Sequence, residues 1–128
     1  MKKIILLLSL IILVSCAQEV DPTVNNMNDI FDSKDFTIEF VLDDSRTESM
    51  SFIEDIIVYK TAKETKRSTI TFDEALLIND FIQSQFKLHD ASNSEIPSII
   101  ILNTAKKVTL KIPKYEAAYS NLITKLEL

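Results

Sequence analysis

The chain has 128 residues, with 14 basic and 19 acidic side chains, a net charge of −5, one cysteine and no glycine. The acidic balance argues against nucleic-acid binding, which needs Lys and Arg to neutralise phosphates, and a lone cysteine excludes an intrachain disulfide. The lack of glycine, against an average near 7%, excludes phosphate-cradling loops and G-x-S-x-G nucleophile elbows, which depend on its backbone freedom.

The first element is apolar. Lys2 and Lys3 precede a run from Ile4 to Val14 that only Ser9 interrupts. A membrane-spanning helix needs about 20 apolar residues, so this run is too short to span. It has the length of a signal-peptide h-region, roughly 7–15 residues. Taken alone it also fits an ordinary secretory signal or a short uncleaved anchor. The run closes on Leu13-Val14-Ser15-Cys16, which resembles the lipobox of bacterial lipoprotein signal peptides. That resemblance covers residues 1–16. It implies that residues 1–15 are a cleaved signal peptide and that Cys16 is the lipid attachment site, carrying palmitate-type acyl chains as residue one of the mature protein. It further implies an extracytoplasmic, membrane-anchored protein of the cell envelope. Ala17, where aspartate would favour inner-membrane retention, favours the outer membrane in a host with two membranes. Each buried methylene contributes about 0.8 kcal/mol and two chains anchor stably where one does not.

Loss of residues 1–15 would leave 113 residues and move the net charge from −5 to about −7, enough chain for one domain. Residues 16–34 read as the lipidated cysteine and a flexible tether, since this polar stretch with Pro22 and several asparagines shows no sustained period. The domain is then 35–128. Phe36, Ile38, Phe40 and Leu42 alternate with polar positions and predict a strand. Asp43-Asp44-Ser45-Arg46 is a turn. A second strand falls within 50–60, strongest at Ile56–Tyr59, and a third at Arg67–Phe72. With no glycine, Asn and Asp are expected at positions of positive φ.

Thr71-Phe72-Asp73-Glu74 has the form of a capping box. It opens a helix whose apolar face carries Ala75, Leu77, Ile78, Phe81, Ile82 and Phe86, with Leu76 out of place. After a loop at 89–97, Ile99 to Leu102 reads as a strand buried on both faces, and Val108, Leu110 and Ile112 as a strand ended by Pro113. A final helix near 114–126 has Tyr115, Ala118, Tyr119, Leu122, Ile123 and Leu126 in one stripe. The order β-β-β-α-β-β-α predicts an α+β fold: two layers, about five strands in a mostly antiparallel sheet, and two helices on one face.

No catalytic constellation is visible. His89 lacks an orienting partner other than the adjacent Asp90 and reads as a surface residue. One histidine and a lipidated cysteine cannot form a zinc site. Asp43, Asp44, Glu48, Glu54 and Asp55 lack calcium-loop spacing and read as solvated turns and edges. The sequence thus implies neither metal nor cofactor. Lys60, Lys63, Lys66 and Arg67 form a basic stretch that could meet an acidic partner or simply guard an edge strand. Tyr115 and Tyr119 read as core residues with hydroxyls reaching the rim. Thr37, Glu39, Thr109 and Lys111 are expected on an uncovered sheet face. The resulting expectation is a lipid-anchored, non-enzymatic binding or interaction module, with the membrane as one partner through Cys16, a protein as the other, and no nucleic acid. The alternative is an immunity-type or inhibitor lipoprotein that blocks a toxin or envelope hydrolase.

Overall fold

The computed structural model describes residues 17–92 and 97–128. The lipobox and Cys16 lie outside the described residues, as does part of the loop 89–97. The described elements are β1 (Gln18–Glu19), α1 (Val24–Asp32), β2 (Asp35–Asp43), β3 (Arg46–Ile53), β4 (Ile56–Lys60), β5 (Thr65–Thr69), α2 (Phe72–Phe86), β6 (Ser98–Leu102), β7 (Lys106–Lys111) and α3 (Glu116–Lys125). The strands form one sheet in the order β1-β7-β6-β2-β3-β4-β5. Only β1 runs parallel to its neighbour, so the sheet is mixed. The chain is α+β, with seven described strands and three helices where the sequence predicts five and two.

The extra strands arise from two departures. The strand expected within 50–60 is a hairpin: β3 and β4 pair with Ile53 opposite Ile56, across a two-residue turn at Glu54-Asp55. Glu54 holds φ at 56°, and Lys114 and Glu127 are also left-handed, so Glu and Lys fill the positions expected of Asn and Asp. A turn without Asn or Gly carries little signal in the sequence. β5 ends at Thr69, earlier than Phe72, because Thr71 already caps α2 and Phe72 begins it.

The larger correction concerns residues 17–34. They are not a tether. Gln18 donates to the Ala105 carbonyl at 3.0 Å and Val20 to that of Lys107 at 2.9 Å, which fixes β1 on the edge of β7. Thr23 then caps α1 by accepting from the Asn26 N–H. Met27 and Ile30 of α1 are fully buried, and Phe31 packs beside them. Lys106 binds Asp29 at 2.8 Å, and Asn103 donates to the Ser33 hydroxyl at 3.0 Å. Nine residues are too few for a stable isolated helix. The i, i+3, i+4 spacing of Met27, Ile30 and Phe31 gives it a face to bury instead.

One face of the sheet carries the core. Ile38, Phe40, Met50, Phe52, Ile57, Tyr59, Ile99, Ile101, Val108 and Leu110 alternate inward and form a single cluster with residues of all three helices. α2 starts as its sequence predicts: Glu74 N–H donates to the Thr71 hydroxyl, and Thr71 N–H to the Glu74 carboxylate at 3.0 Å. β6 is not buried on both faces, since Ile100 and Leu102 are only half-buried. Among the described residues no helix is long and apolar enough to cross a membrane.

The register defines two ends of the sheet. At one, β1 begins beside the 103–105 turn, the Glu54-Asp55 turn joins β3 to β4, and α2 begins after β5. At the other lie the Asp44-Ser45 turn, the β4–β5 loop and the start of α3, with His89 close behind the end of α2.

Candidate functional site

The face of the sheet opposite the core is an accessible surface with a defined geometry. The register places Thr37 beside Leu102 and Ser51, Glu39 beside Ile100 and Ser49, and Ile100 beside Thr109. Thr37 and Ser51 share a hydroxyl–hydroxyl hydrogen bond of 3.0 Å. Lys111 donates from Nζ to the Ser98 hydroxyl at 2.9 Å. Thr37, Glu39, Thr109 and Lys111 thus share the uncovered face expected for them. Half-buried Val41, Val58, Ile100 and Leu102 lie among these polar groups. Such a mixed, shallow surface can hold an extended or flat partner through hydroxyls and aliphatic contact.

A buried polar cluster sits on the opposite side of the sheet. Glu48 faces the core, on the same side of β3 as Met50 and Phe52. Its Oε1 accepts from Tyr119 at 2.6 Å and from Tyr59 at 2.9 Å, and the two tyrosine hydroxyls are 2.9 Å apart. Its Oε2 accepts from Arg46 Nε at 3.2 Å, and Arg46 also reaches Glu116 at 2.6 Å. Burial pushes the Glu48 carboxyl up, but the hydrogen bonds from Tyr119, Tyr59 and Arg46 together outweigh it and hold the group below its usual value of 4.5. Burial raises both tyrosine hydroxyls, and the bond each makes to Glu48 raises them further. Among the described residues no buried side-chain nitrogen or oxygen lacks a hydrogen-bond partner, and the cluster ties β3 and β4 to α3 and to the start of that helix. Tyr115 does similar work, donating to the carbonyls of Val41 at 3.0 Å and Ser98 at 2.8 Å. Both Tyr115 and Tyr119 are core residues, as expected, but their hydroxyls are buried and do not reach the rim.

A mostly apolar slot of about 240 Å³ opens between α1 and α2, lined by Phe31, Phe36, Phe52, Ile70, Ala75 and Ile78, with Glu54 and Asn79 as its polar members. Phe36 stacks on Phe52 with centroids 4.7 Å apart, and Phe31 meets Phe36 edge-on at 5.2 Å. Pockets for drug-sized ligands measure roughly 300–1,000 Å³, so the slot suits a single aromatic or branched group.

The remaining candidates are dispersed. His89 accepts the Lys111 N–H on Nδ1 at 2.8 Å, and Asp90 N–H donates to the Lys111 carbonyl, which extends pairing along the β7 edge. The Asp90 carboxylate turns to Ser92 instead, whose hydroxyl and N–H hold it below the usual range. Asp43 is held down likewise by the N–H and hydroxyl of Ser45. Asp43 and Asp44 lie at the opposite end of the sheet from Glu54 and Asp55. Glu48 is not solvated as its sequence context implies. Among the described residues, no three of His, Cys, Asp and Glu gather where they could hold a metal ion. Lys60, Lys63, Lys66 and Arg67 are all exposed, but the register places Lys66 opposite Tyr59 and Arg67 opposite Val58, on different faces of β5. They are not one patch.

Sequence reasoning missed the slot because Phe31 fell in the presumed tether, although Met27-x-x-Ile30-Phe31 is a helical spacing. It missed Glu48 although the residue shares parity with Met50 and Phe52. Comparison with protein-family models, with curated proteins and with solved structures finds no match to the chain.

Proposed function

We propose that this protein is a lipid-anchored component of the bacterial cell envelope that acts as a binding or interaction module. The reading is carried by one observation: Lys2-Lys3, eleven residues from Ile4 to Val14, and Leu13-Val14-Ser15-Cys16 occur in the order and spacing of a lipoprotein signal, with the chain's sole cysteine at its end. Residues 1–15 are removed. Cys16 carries a diacylglyceryl group on Sγ, and the domain stands on the extracytoplasmic side, at the outer membrane where the host has two. The open sheet face is the surface available to a protein partner. Its row of hydroxyls and half-buried aliphatic side chains supports that role, and its polar edges suit a reversible contact. An immunity-type or inhibitor role is the second form of the same reading. It draws on the acidic balance, which would attract a basic toxin or hydrolase.

Growth with labelled palmitate followed by detergent-phase separation tests the anchor. The wild-type chain is expected to carry label and enter the detergent phase, and Cys16→Ala to do neither. A Cys16→Ala protein that is still processed and still partitions into detergent would overturn the reading.

A further inference from the structure

We infer that the end of the sheet where β1 begins rests against the surface of a zwitterionic phospholipid bilayer, with the strands standing on it. The inference rests on the lipid anchor proposed above and adds an orientation to it. Only Ala17 separates Cys16 from β1, so at roughly 3.3–3.6 Å per residue the cysteine lies within about 7 Å of Gln18. A lipid on Cys16 therefore enters the membrane beside that end of the sheet. It has no long leash on which the domain could turn over.

The same end gathers exposed apolar side chains. Among the described residues, the exposed large hydrophobic side chains are Val24, Ile53, Ile56, Phe72, Leu76 and Leu88. Ile53 and Ile56 flank the Glu54-Asp55 turn, and Phe72 and Leu76 occupy the first two turns of α2, all at the end where β1 begins. Phe72 is 77% exposed, an unusual position for a phenylalanine with nothing to cover it. Leu88 lies at the other end, one residue before His89 and its bond to Lys111. The charges select the headgroup. Asp32, Asp35, Glu54, Asp55 and Asp73 are exposed around this end, against exposed Lys34 and half-buried Lys107, while Lys106 is engaged by Asp29. This excess of negative charge repels anionic lipid and leaves zwitterionic headgroups as the surface that accepts the apolar residues.

The chain contains no tryptophan, so a single introduced indole reports its own surroundings. Phe72→Trp and Leu88→Trp are made separately in the full chain, processed by the host, and reconstituted as lipidated protein into phosphatidylcholine vesicles carrying brominated acyl chains. Phe72→Trp is expected to lose at least about half its emission, because a side chain seated about 5–10 Å into the headgroup–acyl boundary lies within reach of the bromines. Leu88→Trp is expected to keep its emission. Replacing the lipid with phosphatidylglycerol at low salt should weaken the quenching of Phe72→Trp. Lipidated, vesicle-bound protein with neither tryptophan quenched, or with Leu88→Trp quenched more strongly, would overturn the orientation and leave the anchor standing. Stronger quenching in phosphatidylglycerol would overturn the assignment of the headgroup. Protein that carries no lipid and fails to bind vesicles would overturn the anchor on which the orientation depends.

Discussion

Glu48 illustrates how one residue can be placed by the strand it sits on. Its neighbours Thr47, Ser49 and Ser51 suggest a polar edge, yet strand parity sends it inward with Met50 and Phe52. A buried carboxylate is tolerated there because Tyr59, Tyr119 and Arg46 all donate to it. Glu48→Ala leaves both hydroxyls without their acceptor and is expected to cost about 2–4 kcal/mol in urea unfolding, with Glu48→Gln costing less because its amide oxygen still accepts. The pH dependence has a definite sign. The folded state holds the Glu48 carboxyl below 4.5, so its stabilisation is complete above that value and is lost as pH falls through the folded value. Tyr59, Tyr115 and Tyr119 are raised above 10.0, so their contribution is complete below that value and is lost as pH rises beyond it. Unfolding of Glu48→Gln across the acid range should show a shallower loss of stability than wild type. An unchanged acid limb would show that Glu48 does not carry it. Glu54 offers a test of opposite sign. At φ 56° in a two-residue turn it holds a left-handed conformation that costs a non-glycine residue about 1–2 kcal/mol. Glu54→Gly should therefore stabilise the fold by up to about 1 kcal/mol after the entropy that glycine adds to the unfolded chain, seen as a higher urea midpoint.

At the scale of elements, the sequence was most legible where a pattern and a boundary signal coincided. α2 has both, in its Thr71–Glu74 box and its apolar face, and it appears where expected. The alternation of β2 and β7 was equally plain. α1 has a weaker pattern and only a single Thr23 cap: four apolar residues, Val24, Met27, Ile30 and Phe31, in a run of Asn and Asp, which alone would not hold nine residues in a helix. Its stability comes from contact with β2, β6 and β7, and such contacts cannot be read locally. The candidate sites divide in the same way. The open face followed directly from strand alternation, whereas the slot depends on residues from α1, α2 and the sheet lining one space. This makes α1 testable as part of the domain. Met27→Ala, at a fully buried position, is expected to cost about 2–5 kcal/mol. A fragment of residues 35–128 is expected to lose cooperative thermal unfolding, where residues 17–128 retain it. A fragment 35–128 as stable as the longer chain would return α1 to the role of a passive linker.

For the whole molecule, the seating of β1 and α1 changes what an anchor at Cys16 would do. A tether of eighteen residues would let the domain roam; with β1 starting at Gln18, a lipid on Cys16 would hold one end of the sheet at the lipid surface. The open face would then stand on edge to the bilayer, accessible from the side to a partner in the same membrane or in the space beyond. Everything in that picture depends on the chemistry at one atom, the Cys16 sulfur. The most direct measurement is the mass of the N-terminal peptide from protein isolated from its own host membrane. The expected peptide begins at Cys16 and carries the added mass of a diacylglyceryl group on that residue. A peptide that begins elsewhere, or a Cys16 with a free thiol, would contradict it.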